Sequence, residues 1–536
     1  MSYTLIKNGL IVDGSGGLPY NGNLLIKDNK IEKVSKNDIF GSFDNVIDAK
    51  GKLVTPGFID IHRHCDAKPL NSNDFADCML LQGITSTVVG NCGISMTPAP
   101  KNLDAAREMY TFHEPVLGPI EAGLVTTYDD YLNALEKVPL PLNFASMIGF
   151  GSLKISIKGF SDKPFTQDEI KEAYDVIDKA MQSGASGVSV GIMYIPECYT
   201  STDEYAQILK AVGKHNSVVT AHIRGEGDSM VKSVEEIIEI GRKAGCAIEI
   251  SHFKSCGMKN WRKDIYKAIG LINEARAKGQ DVGCDFYPYE GGSTSLTTMV
   301  PPAFVAGDMK KALKKMGTKE GVEEFRNMSR REYADWDNFA ITLGWDRILI
   351  SGVSKEHNRK FINKNVEQCA KEFGYQDVED FVCSLLHDED GNVAIINMSM
   401  CQDDIDTVAK LPYSIIISDA IYAQTDTPHP RMYGAFPKAI REYVCERGIL
   451  PLETVIAKMT DMSAKRMNIA NRGLLAEGYF ADVNIFDLHS IKDNATFAEP
   501  TKLASGIDKC FVNGVLAVDD GKVVSRDAGV VIRADH

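Results

Sequence analysis

Two histidines one residue apart close an apolar run in "GFIDIHRHCD", Gly57 to Asp66. On a β-strand, residues i and i+2 point to the same face, so His62 and His64 stand side by side while Arg63 faces away. Paired imidazoles fill a core poorly and begin a metal site well. His-x-His alone is a weak motif, so the other ligands must come from elsewhere. Four further segments end an apolar run on a metal-capable side chain: Cys92 in "VVGNCGIS", His222 in "VVTAHIRGEG", His252 in "IEISHFK" and Asp419 in "IIISDA". The chain has 11 histidines, and four of them fall in this set. Histidine, cysteine and aspartate together suit zinc, and the thiolate disfavours hard cations. Such a site hydrolyses by metal-activated water, with Asp419 as general base and then general acid.

The elements that must position these residues are legible as texture. Eight β-like runs can be counted: "GFIDIHRH", "TSTVVGNCG", "NFASMIGFG", "GVSVGIMYI", "SVVTAHIRG", "AIEISHFK", "DVGCDFYPY" and "SIIISDA". Several precede amphipathic helical stretches, such as "SVEEIIEIGRKAG" after the fifth. This alternation predicts an α/β fold, a (β/α)8 TIM barrel, in which active sites lie at the C-terminal ends of the strands. All six candidate ligands fall at those ends. The barrel is assigned to residues 56–289 and 346–470. Residues 1–55 and 471–536 read as short strands and turns, predicted to form a small β-sandwich domain from both chain ends. Residues 290–345 are helical, charged and out of step with the barrel. They read as a lid-like insertion after strand seven, with "RILISGV" and later helices leading back to the barrel.

The bulk numbers narrow the class. A chain of 536 residues, 44% apolar and 25% charged, is an ordinary globular composition with more than one structural unit. The net charge of −14 carries no basic patch, which argues against nucleic acid and anionic membranes as partners. No apolar stretch approaches the roughly 20 residues of a membrane span. The N-terminus lacks a secretion signature, and the 12 cysteines form no C-x-x-C pair. A reduced, cytoplasmic protein is the expectation.

Together "PGFIDIHRH", "GNCGIS", "AHIRGEG", "ISHFK", "DFYPYEGGSTSL", "SDA" and "PHPRMYGAFP" resemble the N-acyl-D-amino-acid deacylases (D-aminoacylases) of the amidohydrolase superfamily. The resemblance spans nearly the full length. It is specific at Cys92, which stands where many amidohydrolases bridge two metals with a carbamylated lysine. It implies that Cys92, His222 and His252 hold one tightly bound zinc. His62 and His64 complete a second, weaker site, bridged by Cys92 and near Asp419. It also implies hydrolysis of a small-molecule N-acyl-D-amino acid, and the D preference follows from the resemblance alone. Lys254, two residues beyond His252, and Tyr287 match the lysine and tyrosine that grip the substrate carboxylate. Arg224 and Ser293, in the "GGSTS" stretch, are weaker candidates for that task.

The sequence departs from the family pattern at four places. Cys65 intervenes before Asp66, Phe150 stands where relatives often carry histidine, the loop from Ala420 to Thr427 is long, and Thr427 stands where acidic-substrate deacylases tend to have arginine. Specificity for D-glutamyl or D-aspartyl substrates is therefore not expected. His429 in "TPHPRMYG" reads as structural or supporting. A serine hydrolase is disfavoured because Ser189 of "GVSVG" sits inside a continuing apolar run rather than on the sharp turn that motif needs. The alternatives carried forward are a cyclic-amide or dipeptide hydrolase on the same metal site, and a non-catalytic scaffold, disfavoured by the complete ligand set.

Overall fold

A computed structural model describes every residue of the chain except Asp335, Gln424 and Asp426. Eight parallel strands form the barrel: β1 (Phe58–Asp60), β2 (Ile84–Val89), β3 (Asn143–Ser146, continued by Ile148–Gly149), β4 (Gly187–Gly191), β5 (Val218–His222), β6 (Ala247–Ile250), β7 (Val282–Phe286) and β8 (Ser414–Ile416). Neighbours pair in chain order from β1 to β8. The ring closes where the Asp419 N–H donates to the His62 carbonyl at 2.9 Å and Ala420–Ile421 pairs with Arg63–His64. Every residue of these strands is buried except Ala247, which is half-buried. Two-sided burial is why the runs read as continuously apolar rather than alternating.

The crossover helices form for local reasons. Gln167–Gln182 starts with a capping box from Thr166 and Glu169, and Ala173, Ile177, Ala180 and Met181 recur at helical spacing on the buried face. Met230–Ala244 buries Val234, Ile237, Ile240 and Ala244, and ends at Gly245, whose φ of +72° favours glycine.

Where the sequence predicts a small β-sandwich, the strands of the two chain ends pair in one hydrogen-bonded sheet of nine strands. Its junction is the antiparallel pairing of Leu53–Pro56 with Val483–Phe486, which buries Ile6, Ile11, Leu24, Val54, Val483, Ile485 and Phe511. The segment after β7 differs from expectation. "RILISGV" does not lead back to the barrel: Ile348–Val353 pairs with Val393–Asn397, which pairs with Gly292–Ser295, in a separate antiparallel sheet. The inserted unit therefore runs to about Asn397, and its Leu296, Phe325, Ile350, Phe381 and Ile395 share one apolar cluster with Met109, Phe160 and Ile195 from outside it. Residues 346–397 belong with it, because their apolar strands find partners there. The loop from Ala420 to Thr427 includes Gln424 and Asp426, so its length and course lie partly outside the described residues. Among those residues, no helix is long and apolar enough to cross a membrane.

Arg63, facing away from the two histidines, staples the closing seam. Its fully buried guanidinium donates to the Tyr422 hydroxyl at 2.9 Å, Ser418 Oγ at 3.2 Å, Asp60 Oδ2 at 3.3 Å and the Met432 carbonyl at 3.1 Å. Removing it leaves the Asp60 carboxylate buried without its cation. Arg63→Met is expected to lower folding stability by about 3–5 kcal/mol, read as a shift of the denaturant midpoint at unchanged slope.

Candidate metal centre

The six ligand candidates converge at the C-terminal mouth of the barrel, each at most 6% exposed. One group joins His62, His64, Cys92 and Asp419; a second joins Cys92, His222 and His252; and the ligand atoms within each lie within 4.8 Å of one another. Cys92 Sγ is shared, 3.3 Å from His62 Nε2 and 3.4 Å from His252 Nε2. His222 Nδ1 lies 2.9 Å from His252 Nε2. Asp419 Oδ1 lies 3.3 Å from His62 Nε2 and 3.4 Å from His64 Nε2. Around a tetrahedral ion with ligand bonds of 2.0–2.3 Å, such separations come to about 3.3–3.6 Å. The observed spacings are close to that range, so the residues fit a divalent metal.

Backbone strain places three of the six. Cys92, His252 and Asp419 have φ of +54°, +37° and +51°, a region that non-glycine residues rarely occupy. Each is held there by its surroundings. The Asp419 amide is tied to His62, and the His252 amide donates to the Asp285 carboxylate. The Cys92 carbonyl packs so close to Gly191 that a Cβ there would lie 2.1 Å from it. Asp285 also sets His62, with Oδ2 3.5 Å from Nδ1, leaving Nε2 to face Cys92 and Asp419.

The electrostatics favour a cation. Burial alone would push the Cys92 thiol up, yet His62 and His252 hold it well below the ordinary thiol value. Burial would likewise raise Asp419, but the Arg431 guanidinium, His62 and a hydrogen bond from His64 hold it well below the carboxylate range. The site thus presents a thiolate and a carboxylate, while against burial the nearby anions, Cys92 among them, raise His62 and His252, which would release their protons on binding a metal.

The cavity beside these groups is small, about 30 Å³. Lys254 and Tyr287 line it, as the sequence anticipates, and Ser293 does too. Lys254 Nζ lies 2.5 Å from Glu226 Oε1 and donates to the His252 carbonyl at 2.9 Å. Burial pushes the Tyr287 hydroxyl up to about 12, despite the lowering by Lys254 and Arg431, so it stays a donor. Arg224 is a correction. Its guanidinium is spent on Glu236 and on the Cys198 and Thr200 carbonyls, beside a surface groove of about 890 Å³ that contains none of the six ligands. Phe150 packs on Tyr205 in the core, and its place in the family pattern has no counterpart in the cavity lining.

Besides His429, four residues belong to the site to which the sequence alone gives no role: Arg431, Glu226, Asp285 and Tyr194. Arg431 Nη1 is 2.8 Å from Asp419 Oδ2, and its guanidinium lies 4.5 Å from the Tyr287 ring centre. His429 aims it: Nδ1 accepts from the Arg431 amide at 3.0 Å while Nε2 faces the Gly291 carbonyl at 2.9 Å. Glu226 and Asp285 support ligands from behind. Tyr194 places its hydroxyl 3.2 Å from His222 Nδ1. The signals were present in "PHPR", in "HIRGE" with its carboxylate four residues after His222, and in "CDFY" at a strand end, but each needed a partner distant in sequence.

Comparison with known proteins supplies the context. The amidohydrolase family model matches residues 45–142 and 403–524. D-aminoacylase from Alcaligenes xylosoxydans xylosoxydans is 29% identical, with 98% of this chain and 97% of that protein aligned. A crystal structure of D-aminoacylase, described as defining a novel subset of amidohydrolases, is 30% identical with a TM-score of 0.81 and covers 99% of both chains. The N-acyl-D-glutamate deacylase of Bordetella bronchiseptica, solved with zinc and a phosphonate mimic of the tetrahedral intermediate, is 28% identical with a TM-score of 0.82 and 99% coverage of both.

Proposed function

The chain belongs to the amidohydrolase family, and we propose that within it this protein hydrolyses the amide bond of N-acyl-D-amino acids, releasing a carboxylate and a free D-amino acid. One observation carries the substrate class. Beside Asp419, the Tyr287 hydroxyl and Arg431 Nε are buried donors with no acceptor among the described residues, and Lys254 stands in the same cavity. Buried donors left unpaired are costly. A carboxylate, which accepts through two oxygens, satisfies them. A free α-carboxylate next to the scissile amide is what an N-acyl amino acid offers.

Cys92, His222 and His252 would hold zinc tightly, and His62, His64, Cys92 and Asp419 would form a weaker second site. When bound, zinc supplies Lewis-acid activation of water and of the amide carbonyl. Asp419 takes the proton of the attacking water and returns it to the departing amine, which leaves poorly as an anion. The Tyr194 hydroxyl donates to the oxygen on which negative charge develops. Burial, with the nearby Cys92 thiolate, keeps that hydroxyl protonated by raising its pKa well above the usual value. Lys254, Tyr287 and Arg431 hold the α-carboxylate and orient the amide. Ile94, Val116, Met193 and Ile421 offer the substrate side chain an apolar wall, consistent with an apolar D-amino acid rather than an acidic one. A cavity of about 30 Å³ holds about one water, so its walls part to admit substrate. Thr294 and Phe339 of the inserted unit face it, which supports reading that unit as a lid.

Release of free amine from paired N-acetyl-D- and N-acetyl-L-amino acids, using zinc-loaded protein, tests the reading. Turnover of the D forms is expected. Turnover confined to the L forms, or none on either with zinc demonstrably bound, would overturn it and turn attention to cyclic amides or dipeptides.

A further inference from the structure

Asp337, on the inserted unit, takes no part in the chemistry above, yet it is 3% exposed and touches the segment that carries Glu226. Glu226 Oε1 lies 2.5 Å from Lys254 Nζ and 3.0 Å from His252 Nδ1, so one carboxylate sets both an ammonium and the back of an imidazole. Residues 225–229, which carry Glu226, belong to neither a helix nor a strand. Their amides are tied from outside. The Gly227 N–H donates to Asp337 Oδ2 at 2.7 Å and the Ser229 N–H to Asp337 Oδ1 at 2.9 Å, on either side of Asp228. The fit is close: a Cβ on Gly225 would lie 2.5 Å from Asp337 Oδ2 and 1.8 Å from Ser229 Oγ. Two residues along, Phe339 lines the cavity.

We propose that Asp337 is a positioning residue: by clamping the Gly227 and Ser229 amides it holds Glu226, and through Glu226 it aims the Lys254 ammonium at the substrate carboxylate. Charge-assisted hydrogen bonds from two amides make the clamp directional, and the aim of a single ammonium decides how well a carboxylate is oriented. The carboxylate grip is then complete only while the inserted unit is docked on residues 225–229. This inference rests on the reading of Lys254 as a carboxylate contact.

The test uses zinc-loaded full-length protein with one N-acetyl-D-amino acid and its α-carboxamide. For Asp337→Ala, KM for the acid is expected to rise about tenfold, in line with loss of one charged hydrogen bond, while kcat, zinc content and KM for the carboxamide hold within about twofold. Asp337→Asn keeps the shape and one acceptor, so it falls between, and it carries the test if Asp337→Ala does not fold. An equal KM rise on acid and carboxamide, or no rise on either, overturns the proposal. If the wild-type protein itself does not prefer the acid, the reading of Lys254 fails, and the clamp is then decided by crystallography of the zinc-loaded variant. A Glu226–Lys254 contact opened beyond hydrogen-bond reach supports the clamp, and an unchanged contact overturns it.

Discussion

Asp419→Asn is expected to lower kcat by about 10³- to 10⁴-fold, the upper part of the range for a positioned general acid–base, because the same carboxylate serves in both proton transfers. Its position leaves no substitute. Asp419 Oδ1 faces His62 and His64, Oδ2 faces Arg431, and its amide is fixed on the His62 carbonyl. Asparagine keeps the shape and loses only the charge and the basicity. The group formed by Cys92, His222 and His252 does not include Asp419, so one equivalent of zinc stays bound. Steady-state kinetics beside metal analysis check this. A kcat within about tenfold of wild type, with zinc retained, would remove Asp419 from the proton transfers.

Cys92→Ala is expected to abolish both zinc retention and activity. Cys92 is the one residue common to the two ligand groups, and its sulfur is the anionic donor of the second. Losing a partner that only supports a ligand costs about 10–100-fold in metal affinity. Losing a ligand itself should cost more than about 100-fold. By linkage, metal that no longer binds the native state no longer stabilises it. The melting temperature of the variant should therefore no longer rise on adding zinc at concentrations that stabilise the wild type. Metal analysis after dialysis, with melting curves at several zinc concentrations, separates the outcomes. Full zinc occupancy in the variant would mean that the histidines hold the ion without the sulfur.

Much of the site was legible because its signals are local. His62 and His64 lie just past the end of β1, two residues apart, and both face Asp419. Cys92, His222, His252 and Asp419 end or follow apolar runs, and parallel barrel strands deliver their ends to one face. The inserted unit was harder. Ile348–Val353 reads as an apolar strand in either sheet, and its neighbour is Val393–Asn397, some forty residues further on. Periodicity marks a strand without naming its partner, so the sequence places the boundary at 345 and the fold places it near 397. The expected β-domain shows the opposite case, because turn signals between short strands survive at both chain ends and the nine strands pair in one sheet.

The residue types and their spacing determined the barrel, the candidate ligand set and the kind of ion it would suit, since apolar runs and softness of a donor are properties of a few adjacent residues. Only the tertiary structure decided which cations line the cavity beside the candidate ligands. Arg224 and Arg431 are the same side chain in sequence, each close to a motif. Arg224 meets Glu236, twelve residues along, and is neutralised. Arg431 is folded against Tyr287 and Asp419 with its Nε unpaired. Lys254 and Arg431 are paired with carboxylates as well, but inside the cavity, so what separates them from Arg224 is where the packing of residues from anywhere in the chain puts each cation.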